Sequence, residues 1–419
     1  MTLDESTRQW IHNDLLDRFL RYVQVHTTSN AESDTCPSTA GQRVLAEVLY
    51  AELKAFGLSE CVLTNDGYVF ARIPACKALA KAVKPTIGFL AHLDTSPDCS
   101  GENVRPRVHS AWDGSVLKLS EGVIIDPQEF PALKRFVGRT IITSDGTTLL
   151  GADDKAGVAE IMSAVRWLTL HPEFVHGELE VIFTPDEEIG RGVDRIPRDH
   201  MRSSVCYTLD GGEEGTYNAR CFNAWAITVT FRGRMIHPGS ARGKLVNALT
   251  MASTFMTMVP RAESPETTDG EAGYYCLQSI QGSMEETILK LFIRDFEIDG
   301  IDRRLNFLQH LSQTVEKAFP GGTVELSERR QYLNMAEGLA ARPESVELLK
   351  KAISAAGIQP VEELVRGGTD GSRLTEIGIP TPNIFAGGHN FHSLSEWVPL
   401  ESMERAASVI LNLVSLWAE

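Results

Sequence analysis

LEVIFTPDEEIG, residues 179–190, begins as an apolar run and ends in three consecutive acids, Asp186, Glu187 and Glu188. The first half is typical of a short buried strand, because its residues are mostly aliphatic or aromatic. Like charges repel, so three neighbouring carboxylates at the end of a buried strand need a partner that offsets their charge. The stretch therefore predicts a core strand with a charged site at its carboxyl end.

Short apolar runs and long amphipathic stretches alternate along the rest of the chain. Further strands are predicted at PTIGFLA (85–91), SVCYTL (204–209) and TPNIF (381–385). Helical periodicity predicts helices at 7–25, 41–57, 153–171, 345–358 and 402–419. Strands that alternate with long helices predict an α/β fold, with a mixed sheet covered by helices on both faces.

The middle of the chain has a different pattern. AWAITVTFRG (224–233) alternates as a half-buried strand does. A helix at about 245–259, strands at 274–280 and 287–296, a helix at about 301–319 and a strand ending near 330 follow it. The order β-α-β-β-α-β is that of the ferredoxin-like unit. We therefore predict an inserted α+β domain at 216–333 within a larger α/β domain formed by 1–215 and 334–419.

Composition excludes several classes of partner. The 419 residues have a formal net charge of −16, which argues against nucleic acid, whose phosphates favour a basic surface. It also argues against anionic membranes. No apolar run approaches the roughly 18–20 residues of a membrane span. The seven cysteines are dispersed without a C-x-x-C pair, and no leader pattern occurs, so we expect a cytoplasmic protein with reduced thiols.

Polar clusters follow the predicted strands where each strand ends. The clusters are His92 and Asp94 in GFLAHLDT, Glu187 and Glu188 in TPDEEIG, Asp210 in TLDGG, His389, His392 and Glu396 in GGHNFHSLSE, and, where a loop enters a helix, Asp153 and Asp154 in LLGADDKAG. In open α/β sheets ligands bind beyond the carboxyl ends of the strands. Imidazole and carboxylate together suit zinc, and they also bind cobalt or manganese. The clusters predict a divalent-metal site, in which a cation removes the repulsion among the acids.

Each cluster also has a purely structural interpretation. Two aspartates before a helix usually cap it, and Asp210 before two glycines is typical of a turn. His92 could be a satisfied polar residue at a strand end, and the three acids a solvated turn. The metal interpretation depends on five clusters sharing one location in the predicted sheet.

Five segments together resemble a known enzyme family: AHLDTSPDCSG, GTTLLGADDKAG, TPDEEIG, TLDGG and RGGTDGS. They are similar to the co-catalytic dinuclear-zinc exopeptidases, which include glutamate carboxypeptidase and aminoacylase-type enzymes. The matching segments run from about residue 88 to 396. The resemblance implies a zinc-peptidase-like fold with an inserted lid domain, release of the N-terminal residue from tripeptides, and a homodimer formed through the lid.

The resemblance also implies the roles of individual residues at a site for two Zn²⁺ per subunit. Its metal ligands would be His92 and Asp210 for one ion, Glu188 and His392 for the other, and Asp153 as the bridge. Asp94 would orient the imidazole of His92, and Glu187 would be the general base. His389 competes with His392 for the last position, and the H-x-x-x-E spacing to Glu396 favours His392.

Three residues are candidates for binding the substrate. By the resemblance, His237 in RMIHPGS stabilises the oxyanion, although His-Pro-Gly alone is typical of a turn. Arg366 in VRGGTDGS and Arg294 in LFIRDFE are candidates for the substrate carboxylate, because a guanidinium binds a carboxylate bidentately. The alternative for Arg294, which lies between acids, is a surface salt bridge.

Two other functions stay open from the sequence. One is a different amide hydrolase of the same family: a dipeptidase, a carboxypeptidase or an N-acyl-amino-acid deacylase. The other is a non-catalytic binding protein on the same fold. Such a protein would be expected to lack the base or some ligands, and here Glu187 and all five candidate ligands are present. Neither G-x-G-x-x-G after a strand nor G-x-x-x-x-G-K-[ST] occurs, which argues against a nucleotide-dependent enzyme.

Overall fold

The computed structural model describes residues 4–419. Over these residues the α-helices are α1 Glu5–Tyr22, α2 Ala40–Ala55, α3 Ala152–Leu170, α4 Ala248–Met258, α5 Ile298–Ala318, α6 Ala336–Ala340, α7 Glu344–Ala355, α8 Asp370–Glu376 and α9 Leu400–Leu416. The strands are β1 Cys61–Leu63, β2 Val69–Ile73, β3 Ile87–His92, β4 Arg107–His109, β5 Leu117–Ser120, β6 Val123–Ile125, β7 Ile141–Thr143, β8 Leu179–Thr184, β9 Val205–Gly211, β10 Thr216–Asn218, β11 Asn223–Arg232, β12 Tyr274–Gly282, β13 Glu286–Asp295, β14 Thr323–Tyr332, β15 Val361–Glu362, β16 Asn383–Phe385 and β17 Trp397–Pro399.

The main sheet is mixed, as the sequence predicts. Its strand order is β1-β2-β8-β3-β9-β16-β10-β15. The central strands β8, β3, β9 and β16 are parallel, whereas β2 is antiparallel to β8 and β10 is antiparallel to β16. Because four adjacent strands point the same way, their carboxyl ends meet at one edge of the sheet.

The two faces of this sheet bury different helices. Side chains alternate along a strand, so Phe89 of β3 packs in a core shared with α1, α2, α3, α7 and α9. Its neighbour Leu90 packs on the other face with Ile182, Cys206 and Leu374, the last from α8. Both faces are therefore covered by helices, as predicted, but one face carries most of them.

Helix α3 is the central helix of the main sheet. It packs against β3 and β9 and also contacts α1 and α9. The predicted helix at 153–171 is correct in extent, but its first acids are not helical. Gly151 has a φ of 82°, and Asp153 and Asp154 have non-helical backbone angles, so the regular helix begins after them. The acids lie in an irregular segment at the amino end of the helix.

Residues 220–336 and 364–368 form a second compact unit, and the remaining residues form the first. The β-α-β-β-α-β order predicted for 216–333 is observed, with an antiparallel sheet in the order β12-β13-β11-β14. Its own core includes Phe231, Phe255 and Leu308. The segment 364–368 was not predicted to join this unit. It joins because the N–H of Phe222 donates to Val365 and that of Val365 to Arg220.

Several short strands were not predicted by the sequence analysis. Strands β4, β7 and β17 form a three-stranded sheet, and β5 and β6 form a pair. Three or four residues are too few to show a period. Among the helices described between residues 4 and 419, none has both the length and the apolar character that a membrane span requires.

Candidate metal-binding site

Five of the predicted side chains meet at the carboxyl edge of the main sheet. His92 is the last residue of β3, and Asp210 lies near the end of β9. Glu188 lies in a single 3₁₀ turn after β8. Asp153 lies in the irregular start of α3. His392 follows β16 in a loop and has a φ of 59°.

The carboxylate of Asp153 is the centre of this cluster. Its Oδ1 lies 2.9 Å from Nε2 of His92, which lies 3.7 Å from Oδ1 of Asp210. Its Oδ2 lies 3.3 Å from Nε2 of His392, which lies 3.0 Å from Oε2 of Glu188. Two groups, each of three side chains that could hold a metal ion, therefore share one carboxylate, which turns one oxygen toward each group.

The donor set and its orientation fit a pair of divalent cations. Each group offers one imidazole and two carboxylates, a combination that zinc accepts. The other ring nitrogen of each histidine is already engaged. Nδ1 of His92 lies 3.1 Å from the carbonyl oxygen of Asp94, and Nδ1 of His392 lies 3.1 Å from Oδ2 of Asp98. Such contacts fix the tautomer and leave Nε2 for a metal.

The electrostatics of the cluster favour bound positive charge. Burial, together with the charge of Asp153, raises the pKa of Glu188 to about 7. Burial likewise raises the pKa of Asp210 to about 6. Bonds to Asp153 and Glu188 raise the pKa of His392 to about 11. Three carboxylates close together are stabilised either by protons or by metal ions.

Glu187 lies beside the cluster, and Asp94 holds the turn that carries it. Burial, followed by the charge of Asp210, raises the pKa of Glu187 well above its usual range. The backbone N–H groups of Glu187 and Glu188 donate to the two carboxylate oxygens of Asp94, at 3.0 and 3.1 Å. The sequence analysis predicted only that Asp94 orients His92, whose Nδ1 lies 3.4 Å from that carboxylate. Asp94 therefore contacts both His92 at the end of β3 and the turn that carries Glu187 and Glu188.

Asp186, the first of the three acids, has a structural contact instead. It is fully buried and has a φ of 61°. Its carboxylate accepts the N–H of Ser38 and the Nε2–H of Gln42, the latter at 2.7 Å. Its own N–H donates to Oε1 of Gln42 at 3.0 Å. Asp186 thus fastens the turn to the amino end of α2.

His389 lies outside both groups. Its ring stacks on Trp397 with the centroids 3.9 Å apart and meets Phe136 edge-on. Burial, followed by the charge of Arg135, lowers the pKa of His389 to about 3. The structure brings His392, and not His389, to Asp153.

Two buried acids near the cluster were given no role by the sequence analysis. Asp370 accepts the hydroxyl of Thr184 at 2.6 Å, and burial raises its pKa to about 7. Glu396 accepts backbone N–H groups of the segment that carries Asp153. The sequence analysis used Glu396 only for its H-x-x-x-E spacing to His392, and Asp370 occurred only within the quoted segment RGGTDGS. Neither pattern predicted which groups these two carboxylates would bond to.

The three candidate substrate residues belong to the second unit. His237 is exposed, and its Nδ1 accepts the N–H of Gly239, as the turn interpretation predicts. Arg294 is buried and donates to backbone carbonyls, so the surface salt bridge considered for it is wrong. Arg366 donates to Thr268 and Ala272 and lies over two aromatic rings. Their roles toward a substrate stay predictions.

Comparison with known proteins gives consistent matches over almost the whole chain. Residues 145–416 match the family described as Peptidase family M20/M25/M40. The chain is 44% identical over 407 residues to peptidase T of Caldanaerobacter subterraneus subsp. tengcongensis, covering 97% of this chain and 99% of that one. The aminopeptidase PepT from Bacillus cereus has the same fold, with a TM-score of 0.76 at 23% identity over 97% and 99% of the two chains. A tripeptidase from Staphylococcus aureus also has this fold, with a TM-score of 0.76 at 20% identity over 97% and 98% of the chains.

Proposed function

The chain belongs to the M20/M25/M40 family of peptidases, and from this we propose that it is a metal-dependent aminopeptidase that releases the N-terminal residue from tripeptides. Relatives called peptidase T share 42–45% of its residues over nearly their full lengths. The observation that carries the proposal is the carboxylate of Asp153 shared by two ligand groups beside Glu187.

We propose Zn²⁺ as the metal, two ions per subunit. His92 and Asp210 would hold one ion, Glu188 and His392 the other, and Asp153 both. A pair of such ions supplies an activated water and polarises the peptide carbonyl. Co²⁺ and Mn²⁺ are expected to substitute, because imidazole and carboxylate bind them as well.

Glu187 is the proposed general base. Its side chain is partly buried, and no described residue donates a hydrogen bond to its carboxylate, so both oxygens can accept a proton. A raised pKa lets this carboxylate take the proton of the attacking water and then give it to the departing amine. Asp94 accepts the N–H groups of both Glu187 and Glu188 and so fixes the turn. The two glutamates are neighbours in the chain, and their side chains can therefore serve different partners, one a metal and the other the substrate.

The second unit supplies the proposed contacts to the substrate. His237 would donate a hydrogen bond to the oxyanion, and Arg294 or Arg366 would bind the terminal carboxylate. Arg366 would have to exchange its bonds to Thr268 and Ala272.

A homodimer formed through this unit is proposed on the family resemblance alone. A cytoplasmic location is proposed because the seven cysteines are dispersed along the sequence without a C-x-x-C pair, a pattern that is usual in a reducing compartment.

A substrate panel tests the proposal. The protein is dialysed against a chelator, reloaded with Zn²⁺, and incubated with di-, tri- and tetrapeptides and with an N-acetylated tripeptide. We expect release of the first residue from tripeptides, none from the acetylated peptide, and none before reloading. Cleavage of the acetylated peptide would instead favour a deacylase, and cleavage of none would favour a binding protein.

A further inference from the structure

The carboxylate of Glu396 binds four consecutive backbone N–H groups. The side chain is buried, with 1% of the residue exposed. The distances are 2.7 Å from Leu150 and 2.8 Å from Gly151 to Oε2, and 2.7 Å from Ala152 and 3.2 Å from Asp153 to Oε1. Each oxygen therefore accepts two N–H groups, and the acceptor is about 240 residues away in sequence from its donors.

The segment that donates these bonds cannot satisfy them by itself. Gly151 has a left-handed conformation, and Asp153 and Asp154 are not helical. The first N–H groups of a helix have no acceptor within the helix, and a buried N–H without an acceptor destabilises the folded protein. A carboxylate at this end is also favoured by the helix dipole. Glu396 is thus the acceptor on which this irregular segment depends.

Glu396 also belongs to the loop that carries His392. The loop is closed by a backbone pair in which the N–H of His389 donates to Trp397 at 2.9 Å and the N–H of Trp397 donates back at 3.1 Å. Trp397 continues into β17, which pairs with β7. One side chain therefore joins the backbone of Asp153 to a loop that is itself fixed to a sheet.

We infer that Glu396 is a positioning residue of the metal centre: it fixes the distance between the backbone segments of Asp153 and His392. Asp153 is common to both ligand groups, so a shift of its segment would disturb both. Residues that orient metal ligands typically change metal affinity 10–100-fold when they are replaced. The inference rests on the metal-dependent part of the proposed function and is independent of the identity of the substrate.

The chain offers a matched control in Glu180. This carboxylate is also fully buried, and its Oε2 accepts the N–H groups of Arg202 and Ser203, each at 3.0 Å. It lies near the amino end of β8, opposite Gly88 of β3, whereas the ligands lie at the carboxyl end. Its loss removes a buried acceptor far from the site.

The test compares Glu396→Gln with Glu180→Gln. Each glutamine keeps the size of the side chain but places an NH₂ group among backbone donors. Zn²⁺ affinity is measured by competition with a chromophoric chelator, and hydrogen exchange of the amides at 150–153 is measured by mass spectrometry on the metal-free protein. We expect Glu396→Gln to weaken Zn²⁺ binding about 10–100-fold and to accelerate exchange at 150–153. Glu180→Gln should lower the melting temperature but leave affinity within about twofold, because distant sites are independent.

Each outcome bears on a different claim. Wild-type affinity in Glu396→Gln would overturn the inference, as would an equal loss of affinity in both variants, since that indicates general destabilisation. Failure of the wild-type protein to bind Zn²⁺, Co²⁺ or Mn²⁺ would overturn the proposed function instead. Should Glu396→Gln not fold, Glu396→Asp, which keeps the charge on a shorter side chain, is measured in the same way. Unchanged affinity in that variant also contradicts the inference.

Discussion

At the scale of single residues, the carboxylates of Asp153 and Glu187 lie in two different environments. Both oxygens of Asp153 are engaged by histidine nitrogens, at 2.9 and 3.3 Å. The carboxylate of Glu187 has no described hydrogen-bond donor, and its pKa is raised. A ligand needs fixed lone pairs, whereas a general base needs a lone pair that is free to accept a proton.

Replacing Glu187 by glutamine should separate these two roles. We expect Glu187→Gln to lower kcat by about 10²–10⁴-fold, the usual contribution of general acid–base catalysis, with the metal content unchanged. Glu188→Gln, one residue away, should lose bound metal as well. Steady-state kinetics together with metal analysis by mass spectrometry checks both. A Glu187→Gln variant that retains more than about a tenth of wild-type kcat would exclude Glu187 as the base.

His389 should make the protein less stable in acid. Its pKa is lowered to about 3 in the folded protein, against about 6.5 in an unfolded chain. Between these values the unfolded state binds more protons, so the stability that the neutral ring contributes is complete above about pH 6.5 and is lost as the pH falls.

The variant His389→Phe keeps a ring against Trp397 and removes this titration. We expect the decrease in unfolding free energy from about pH 7 to about pH 5 to be smaller than in the wild type by about 2 kcal/mol. Urea unfolding at the two pH values measures the difference. Equal decreases in both proteins would show that His389 is not the titrating group.

The sequence analysis placed His92, Glu188, Asp210 and His392 at one edge of the sheet because each comes at or after the end of a predicted strand, and parallel strands end together. Asp153 lies at the start of α3, where a loop enters a helix, and only the metal hypothesis joined it to the others. The sequence analysis favoured His392 over His389 only through the family resemblance. In the structure, the ring of His389 packs on Trp397, whereas His392 lies beside Asp153. The contacts of Glu396 and Asp94 to backbone N–H groups were not predictable, because backbone donors have no residue type that a pattern can show.

At the scale of elements, the contact between α3 and β9 positions Asp210. Gly157 of α3 faces the backbone of Leu209, the residue before Asp210. A Cβ at this glycine would lie 2.3 Å from the carbonyl oxygen of Leu209 and 2.5 Å from Oδ1 of Asp154. Long amphipathic helices such as α3 were predictable from their period, but this close approach depends on the tertiary fold.

We expect Gly157→Ala to destabilise the protein despite the better helix propensity of alanine. Propensity favours alanine by about 1 kcal/mol, whereas overpacking against a backbone atom costs about 1–3 kcal/mol and a 2.3 Å contact is at the severe end. Thermal unfolding should therefore show a lower melting temperature. Gly212→Ala is the control, because a Cβ there meets nothing within 4 Å. A Gly157→Ala protein as stable as the Gly212→Ala protein would contradict the steric argument.

At the scale of the whole molecule, the chain has two compact units with separate cores. The order of elements in the second unit followed from the sequence, since each strand and helix has a clear period. That residues 364–368 belong to the second unit could not be predicted from the sequence, because a segment of five residues between two elements shows no periodicity. The five clustered candidate ligands all belong to the first unit.

A substitution in the core of the second unit tests whether the two cores are independent of each other. Leu308 of α5 is fully buried in the core of that unit, and Leu308→Ala should lower its stability by about 2–5 kcal/mol. Zn²⁺ affinity, measured by chelator competition, should stay at the wild-type value. Calorimetry with and without Zn²⁺ measures the stability change. A drop in Zn²⁺ affinity as large as that of a ligand variant would show that the two units do not behave separately.

The turn after β8 has a consequence for how this chain can vary in length. Its three acids have three different surroundings. The carboxylate of Asp186 accepts hydrogen bonds from Ser38 and Gln42, and that of Glu188 lies 3.0 Å from Nε2 of His392. Within residues 4–419, no donor bonds to the carboxylate of Glu187. Surface loops usually tolerate insertions and deletions. Here the gain or loss of one residue between Pro185 and Gly190 would move each acid into its neighbour's place, even though the composition stayed acidic. Homologous chains should therefore differ in length elsewhere and keep this turn at constant length.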